Sequence, residues 1–303
     1  MKKFLLKVVL FFVLVAAVDV LSGFAYGYLR GHAKGGSTEK SEYIACKANE
    51  DIIIMGSSRA THHYNPKVIA DSVGLSCYNC GEKGNGIVLA YGRYKMLTSR
   101  YKPKLIVYEV TPGFDYYEWD PYSKYLGHLR PYYNRAGVKE IFQDFDDGLS
   151  CIRMQSSLYQ NNTRLVQDVI DNIIFRDNFK GFAPLAGKLK SSKVVMKERE
   201  YIIDSLKLAY VERFLRETLK DNVPIMMTIS PVYCDAESAE MYSEAVRLCN
   251  EYGIQLIDYR HYDPISTNPE FFVDGVHLNE NGANLYSSLI AKDIKKVIDT
   301  NNK

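Results

Sequence analysis

Three residues in this chain have the types and placement needed for acyl chemistry. Ser58 follows Gly56 at the end of the apolar run Asp51-Ile-Ile-Ile-Met55. A glycine there lets the backbone turn sharply and leaves the next side chains standing free at a strand end. A serine hydroxyl is a weak nucleophile by itself and needs a base. A base is available far along the chain in Asp274-Gly-Val-His277-Leu278. Asp274 and His277 lie on one turn of chain, so the carboxylate can bond Nδ1 while Nε2 faces the serine. Each half has a plainer reading: Ser57 and Ser58 as a helix cap, and Asp274 and His277 as a loop acid and a helix-start imidazole bonded to backbone. It is their conjunction at opposite ends of one α/β pattern that points to ester or acyl-transfer chemistry.

The elements that must position these residues are legible as alternating strands and helices. Apolar runs predict strands at Asp51–Met55, Ser76–Asn79, Lys104–Val110, Val223–Ile229 and Ile254–Asp258. Helices are expected at Pro66–Val73, Ile87–Tyr101, Val138–Asp147, Ser156–Phe175, Glu198–Leu219, Ala236–Tyr252 and Asn279–Ile298. Short βα connections imply a parallel sheet. The expected fold is a three-layer α/β/α sandwich on a parallel five-stranded sheet, with a helical insertion over residues 111–222 between the third and fourth strands. Ligands of such sheets bind at the C-terminal ends of the strands, which is where Ser58 would stand.

Bulk properties narrow the function classes. With 303 residues and 47% hydrophobic content the chain can bury a large core. Lys and Arg number 38 against 36 Asp and Glu, so no electrostatic footprint for nucleic acid is expected. Lys2, Lys3 and Lys7 precede the apolar run Val8–Val18, which continues past Asp19 to Leu29. Read short, this is the apolar region of a signal peptide; read long, it is close to the ~20 residues of a membrane helix. No small-x-small site closes the short run, which favours an uncleaved anchor over residues 1–30, with the basic end cytoplasmic and the remainder outside. Asp19 inside the run is costly in lipid and calls for a partner. Residues 31–49 read as a linker and residues 50–303 as the domain that carries the chemistry.

The remaining candidates have competing readings. Cys77-Tyr-Asn-Cys80 has metal or redox spacing but lacks a second Cys or His pair, so small core groups are the expected role and neither a metal nor a cofactor is expected. The six cysteines could form disulfides outside the cytoplasm. Arg59, His62 and His63 could hold an anionic group, but a solvated helix start is the expected reading. The aromatic segment Phe114–Tyr122, with Tyr125, His128, Tyr132 and Tyr133, is either a sugar-stacking cleft or a loop that packs through its aromatics.

Gly56-Ser57-Ser58 and Asp274-Gly-Val-His277-Leu278 resemble the first and last blocks of the SGNH (GDSL-type) hydrolase superfamily. Tyr78-Asn79-Cys80-Gly81-Glu82-Lys83-Gly84-Asn85 resembles its second block. The resemblance covers about Asp51–Val110 and Val223–Ile298. It implies Ser58 as nucleophile, with Asp274 and His277 completing the triad, and backbone N–H groups of Ser58 and Gly84 at the oxyanion. The third block departs from the family: the strand ends Glu109-Val-Thr-Pro, where an asparagine is expected, and Asn85 would have to supply an amide instead. Membrane-anchored members of this superfamily act on acyl groups of cell-surface glycans. The implied function is an extracytoplasmic serine esterase or O-acyltransferase on an acylated glycan, working with a membrane-bound acyl donor protein. The alternative is a catalytically silent module that binds glycan or scaffolds a membrane assembly.

Overall fold

The computed structural model describes residues 1–120, 122–145, 148–175, 177–189, 200–233 and 237–301. Ten helices and five strands carry the argument: α1 (Lys2–Gly31), α2 (Gly36–Cys46), β1 (Ile52–Gly56), α3 (Ser58–His63), α4 (Pro66–Val73), β2 (Cys77–Asn79), α5 (Ile87–Thr98), β3 (Leu105–Glu109), α6 (Ser157–Asn161), α7 (Leu165–Ile173), α8 (Ser205–Lys220), β4 (Ile225–Ile229), α9 (Ser243–Tyr252), β5 (Gln255–Asp258) and α10 (Glu280–Asn301). The chain divides into two compact units, Met1–Lys47 with Leu126–Asp177, and Ala48–Tyr125 with Asn178–Lys303.

The larger unit is the expected α/β fold. All five expected strands form and pair in parallel in the order β2-β1-β3-β4-β5. That is the flavodoxin-like order, and the direction of winding reverses between β1 and β3, which opens a crevice at their C-terminal ends. The central strands β1, β3 and β4 are runs of branched and long apolar side chains, every residue buried, because helices cover both faces. Ile52, Ile54, Leu105, Val107 and Met226 point to one face, into a core with Tyr64 and Ile69 and with Tyr286, Ile290 and Ile294 of α10. Ring contacts on the other face join Tyr108 of β3 and Tyr94 of α5 to Phe214 of α8. Burying one such side chain contributes about 1.5–3 kcal/mol, and every residue of β1 and β3 is buried.

Several helix boundaries depart from expectation for local reasons. The helix expected over Glu198–Leu219 begins at Ser205, because the Asp204 carboxylate caps it by accepting from the N–H groups of Leu206 and Lys207 at 3.1 and 3.0 Å. Ile203 instead makes an isolated bridge to Tyr117, and residues 198–199 lie outside the described residues. The helix expected from Ala236 begins at Ser243, after a 3₁₀ turn at Ala239–Tyr242; Ala236 is itself outside the described residues.

The smaller unit is built on α1, the one helix among the described residues long and apolar enough to cross a membrane, with mean hydropathy 2.7 in its most apolar window. Asp19 within it is not left bare. Its carboxylate accepts from Ser156 Oγ at 2.6 Å and from the N–H groups of Ser157 and Leu158, both at 3.0 Å. The 31–49 stretch, expected as a linker, contains α2, which buries Thr38, Ile44 and Ala45. Its glycines and charges suggested irregular chain, yet Asp168 and Asp171 receive its first turn: Thr38 Oγ1 donates to Asp168 at 2.9 Å and Thr38 N–H to Asp171 at 3.0 Å. The helix expected over Ser156–Phe175 is two helices, α6 and α7.

Candidate active site

Strand β1 ends at Gly56, whose φ of +136° is open only to glycine, and a Cβ there would stand 2.5 Å from the carbonyl oxygen of Glu109. This tight exit turns the chain directly into α3, so Ser58 occupies its first helical position at the mouth of the β1/β3 crevice. Asn79, at the end of β2, ties that helix down: its amide donates to the carbonyls of Ala60 and Tyr64 at 2.6 and 2.9 Å.

The two distant motifs meet. His277 Nε2 lies 2.8 Å from Ser58 Oγ, across 219 residues of sequence. His277 Nδ1 lies 2.9 Å from Asp274 Oδ2 and 3.1 Å from Oδ1. The Asp274 carboxylate also accepts from the N–H groups of Val276 and His277 at 2.9 and 2.8 Å. Partial burial alone would raise its pKa. The bond and charge of His277 and the two backbone donors outweigh that and hold the carboxyl below its usual range. Ser57 is buried, and its hydroxyl makes no hydrogen bond among the described residues.

The candidate oxyanion groups are placed less uniformly. Neither Ser58 N–H nor Gly84 N–H has an acceptor among the described residues, as expected of donors left for a ligand. Gly84 has φ +63°, and Lys124 Nζ would come within 3.0 Å of a Cβ there. That ammonium also lies 3.3 Å from Asp120 and 5.1 Å from the Phe114 ring centroid. Asn85 is turned inward: Nδ2 donates to Lys83 O at 2.9 Å, its N–H donates to Glu82 O at 3.1 Å, and Oδ1 is buried with no partner among the described residues. The side-chain amide that was to replace the missing asparagine is thus engaged locally.

Arg59, His62 and His63 are not solvated, contrary to the sequence reading; all three are buried. Arg59 pairs with Glu109 at 3.1 Å and Glu237 at 2.7 Å, and bonds Tyr242 OH at 2.9 Å. Burial opposes its charge, but Glu237, Tyr242 and Glu109 outweigh it and raise its pKa. His63 links α3 to the segment that carries His277. Its Nε2 accepts the N–H of Leu278, the residue after His277, at 3.0 Å. That fixes the proton on Nδ1, which donates to Ser230 Oγ at 2.7 Å; Ser230 Oγ in turn donates to Glu109 at 2.7 Å. Burial, then repulsion from His277, Arg59 and His62, holds His63 well below the ordinary imidazole pKa. His62 packs edge-on against His277, ring centroids 5.7 Å apart, and bonds Ala183 O at 2.5 Å. Sequence polarity gave no signal for these roles, because the partners Glu109, Ser230 and Glu237 come from other parts of the chain.

The aromatic segment is mostly core. Tyr116, Tyr117, Tyr125, Tyr132 and Tyr133 are buried, which removes them as sugar-stacking faces; Phe114, Trp119 and Tyr122 keep partial exposure. Cys77 ends up buried in β2 and Cys80 buried just after it, and burial raises the Cys77 pKa. No disulfide joins Cys46, Cys77, Cys80, Cys151 or Cys249 among the described residues; Cys234 lies outside them.

No family model and no curated protein matches the chain. Among solved structures it is similar to a protein described as lipolytic, of the G-D-S-L family, from Desulfitobacterium hafniense DCB-2, at 8% identity and TM-score 0.42, covering 80% of this chain and 98% of that one. It is also similar to a family two carbohydrate esterase from Cellvibrio japonicus, at 8% identity and TM-score 0.39, covering 82% and 61% of the two chains. A third similar structure is a gut microbial diltiazem-metabolizing enzyme, at 13% identity and TM-score 0.38, covering 84% and 48%.

Proposed function

We propose that the chain is a serine esterase or O-acyltransferase of the SGNH type, anchored by α1 with its α/β unit outside the cytoplasm. Its substrate would be an ester-linked acyl group on a cell-surface glycan. The observation that carries the chemistry is the unbroken chain Ser58 Oγ to His277 Nε2 and His277 Nδ1 to Asp274, at 2.8 and 2.9 Å. In this reading His277 takes the Ser58 proton as Oγ attacks the ester carbonyl. The Ser58 and Gly84 N–H groups bond the oxyanion of the tetrahedral intermediate. The intermediate collapses with transfer of the His277 proton to the departing alcohol, leaving an acyl-Ser58 ester. Water, or a sugar hydroxyl held nearby, gives its proton to His277 and attacks the acyl carbon, and Ser58 leaves reprotonated. Loss of one side-chain donor to the oxyanion can cost about 10²–10³ in rate. With Asn85 engaged elsewhere, a held acceptor with high effective concentration is favoured over free water.

One observation favours the silent-module alternative, namely the lack of a side-chain amide donor at the oxyanion position. The two readings separate on one experiment. The full chain in detergent is treated with a fluorophosphonate probe and with acetylated oligosaccharides, with and without free acceptor sugar. An enzyme labels at Ser58, releases or transfers acetate, and loses both activities in Ser58→Ala. Labelling that survives Ser58→Ala, or no labelling of the wild type, sinks the enzyme reading.

A further inference from the structure

In the smaller unit, helix α7 is amphipathic the wrong way round for a water-facing helix. Its polar residues are turned into the protein. Asp168 and Asp171 are buried on α2, and Asn172 Nδ2 donates to Leu29 O of α1 at 2.7 Å. Its apolar residues face out. Leu165, Val166, Val169 and Ile173 fall within one arc at helical spacing, and Val166 and Ile173 are 72% and 73% exposed. Ile174 and Phe175, which follow the helix directly, are exposed too, the latter 76%. A water-facing helix would reverse this arrangement, and an exposed apolar face of this extent marks an interaction surface.

Attachment to α1 identifies what covers the patch. Asp19 binds Ser156, Ser157 and Leu158, and Ser157 Oγ would come 2.7 Å from a Cβ on Gly23, so α6 lies directly on the apolar helix. Asp19 precedes Gly31 by 12 residues, which at the α-helical rise is about 18 Å along the axis, more than half the ~30 Å hydrocarbon thickness. A bilayer that surrounds α1 over residues 8–29 therefore also meets Ser156, Ser157 and Leu158. The Asn172 bond to Leu29 holds α7 near the opposite end of α1 from the lysines, at the level of a bilayer boundary. We propose that residues 156–175 are a second membrane-inserted element, packed along α1 through Asp19 and Asn172, with the outward face of α7 seated among lipid acyl chains. The inference rests on the reading of α1 as a membrane helix. It goes further in making the attachment a small embedded assembly in place of a single tether.

The test uses the full chain in phosphatidylcholine–phosphatidylglycerol bilayers. Trp119 is the one tryptophan of the sequence and supplies the baseline emission. Val166→Trp and Phe175→Trp add a second tryptophan at exposed positions, and Phe12→Trp does the same on α1. The expected result is that acyl-chain-brominated lipid quenches the added emission at 166 and 175 to the extent seen at 12, while aqueous acrylamide leaves it unchanged. Acrylamide quenching at 166 and 175 would place that face in water and overturn the proposal. Protection from both quenchers would mean that protein covers the face, and would overturn it equally. If Phe12→Trp itself escapes the brominated lipid, the membrane reading of α1 fails and this inference falls with it. Quenching at 12 without quenching at 166 and 175 rejects this inference alone.

Discussion

His63→Phe separates positioning from packing at the candidate site. The imidazole is fully buried, and its Nε2 is the acceptor for Leu278 N–H, so phenylalanine keeps the ring but strands a buried donor. Leaving such a group unpaired costs about 1–3 kcal/mol. Leu278 is covalently next to His277, whose Nε2 must stay within reach of Ser58 Oγ, now 2.8 Å away. A displacement on the order of 1 Å there lowers the rate about 10²-fold. His63→Gln should behave differently, because its amide oxygen can reach the place of Nε2 and accept from Leu278. The assay is the second-order rate of fluorophosphonate labelling at Ser58, measured beside the thermal midpoint. The expected order is wild type, then Gln, then Phe, in rate and in stability. If His63→Phe lowers the midpoint while the folded protein labels at the wild-type rate, the positioning argument is refuted and His63 is only a packing residue. The native pKa of His63 is depressed, so its contribution to stability is complete above the ordinary imidazole value. It declines as pH falls below about 6.5, at up to about 1.4 kcal/mol per unit. The wild type should therefore lose its advantage over His63→Gln between pH 7.5 and pH 5, read as converging denaturant midpoints.

Three further outcomes follow from the same geometry. Asp274→Asn leaves His277 Nδ1 without a carboxylate and should slow labelling by about 10²–10⁴ with little change in fold. Because the Asp274 carboxyl is held below its usual range, the stability it adds is present above about pH 4 and is lost as pH falls further, so the midpoints of variant and wild type should converge in acid. Gly56→Ala forces a Cβ to 2.5 Å from Glu109 O at a φ of +136° and should cost at least about 1–3 kcal/mol, read by urea unfolding; an unchanged midpoint would refute the tight-exit account. Glu109→Leu removes one partner of buried Arg59 and the acceptor of Ser230, and should cost about 3–5 kcal/mol, whereas the paired change with Arg59→Met should recover part of that loss in a double-mutant cycle.

The parts of the fold that could be read from sequence are those with a local signature. The central strands are legible because a parallel sheet covered on both faces leaves continuous apolar runs such as Ile52–Ile54 and Leu105–Val107. Ser58, Asp274 and His277 were visible because glycine and short spacing mark the turns that hold them. Arg59 and His63 were misread because polarity in a single sequence suggests solvent, and only the fold brings Glu109, Ser230 and Glu237 around them. The two carboxylates that anchor α2 were hidden for the same reason. Asp168 and Asp171 lie about 130 residues from Thr38, and no window a strand or helix long can contain both.

The 219-residue separation between the serine and its histidine also sets an order of events in synthesis. β1 and α3 leave the ribosome early and can pair with β2 and β3 as soon as these follow. His277 arrives only after all five strands have been made, and α10 after it, docking on α4 and on His63 through the Ser287 Oγ bond to the His63 carbonyl at 3.2 Å. In the proposed mechanism a chain still lacking residue 277 would hold Ser58 with no base beside it, and so no activated hydroxyl with which to attack esters. Reactivity of the proposed kind would in this sense report that translation has passed the last strand.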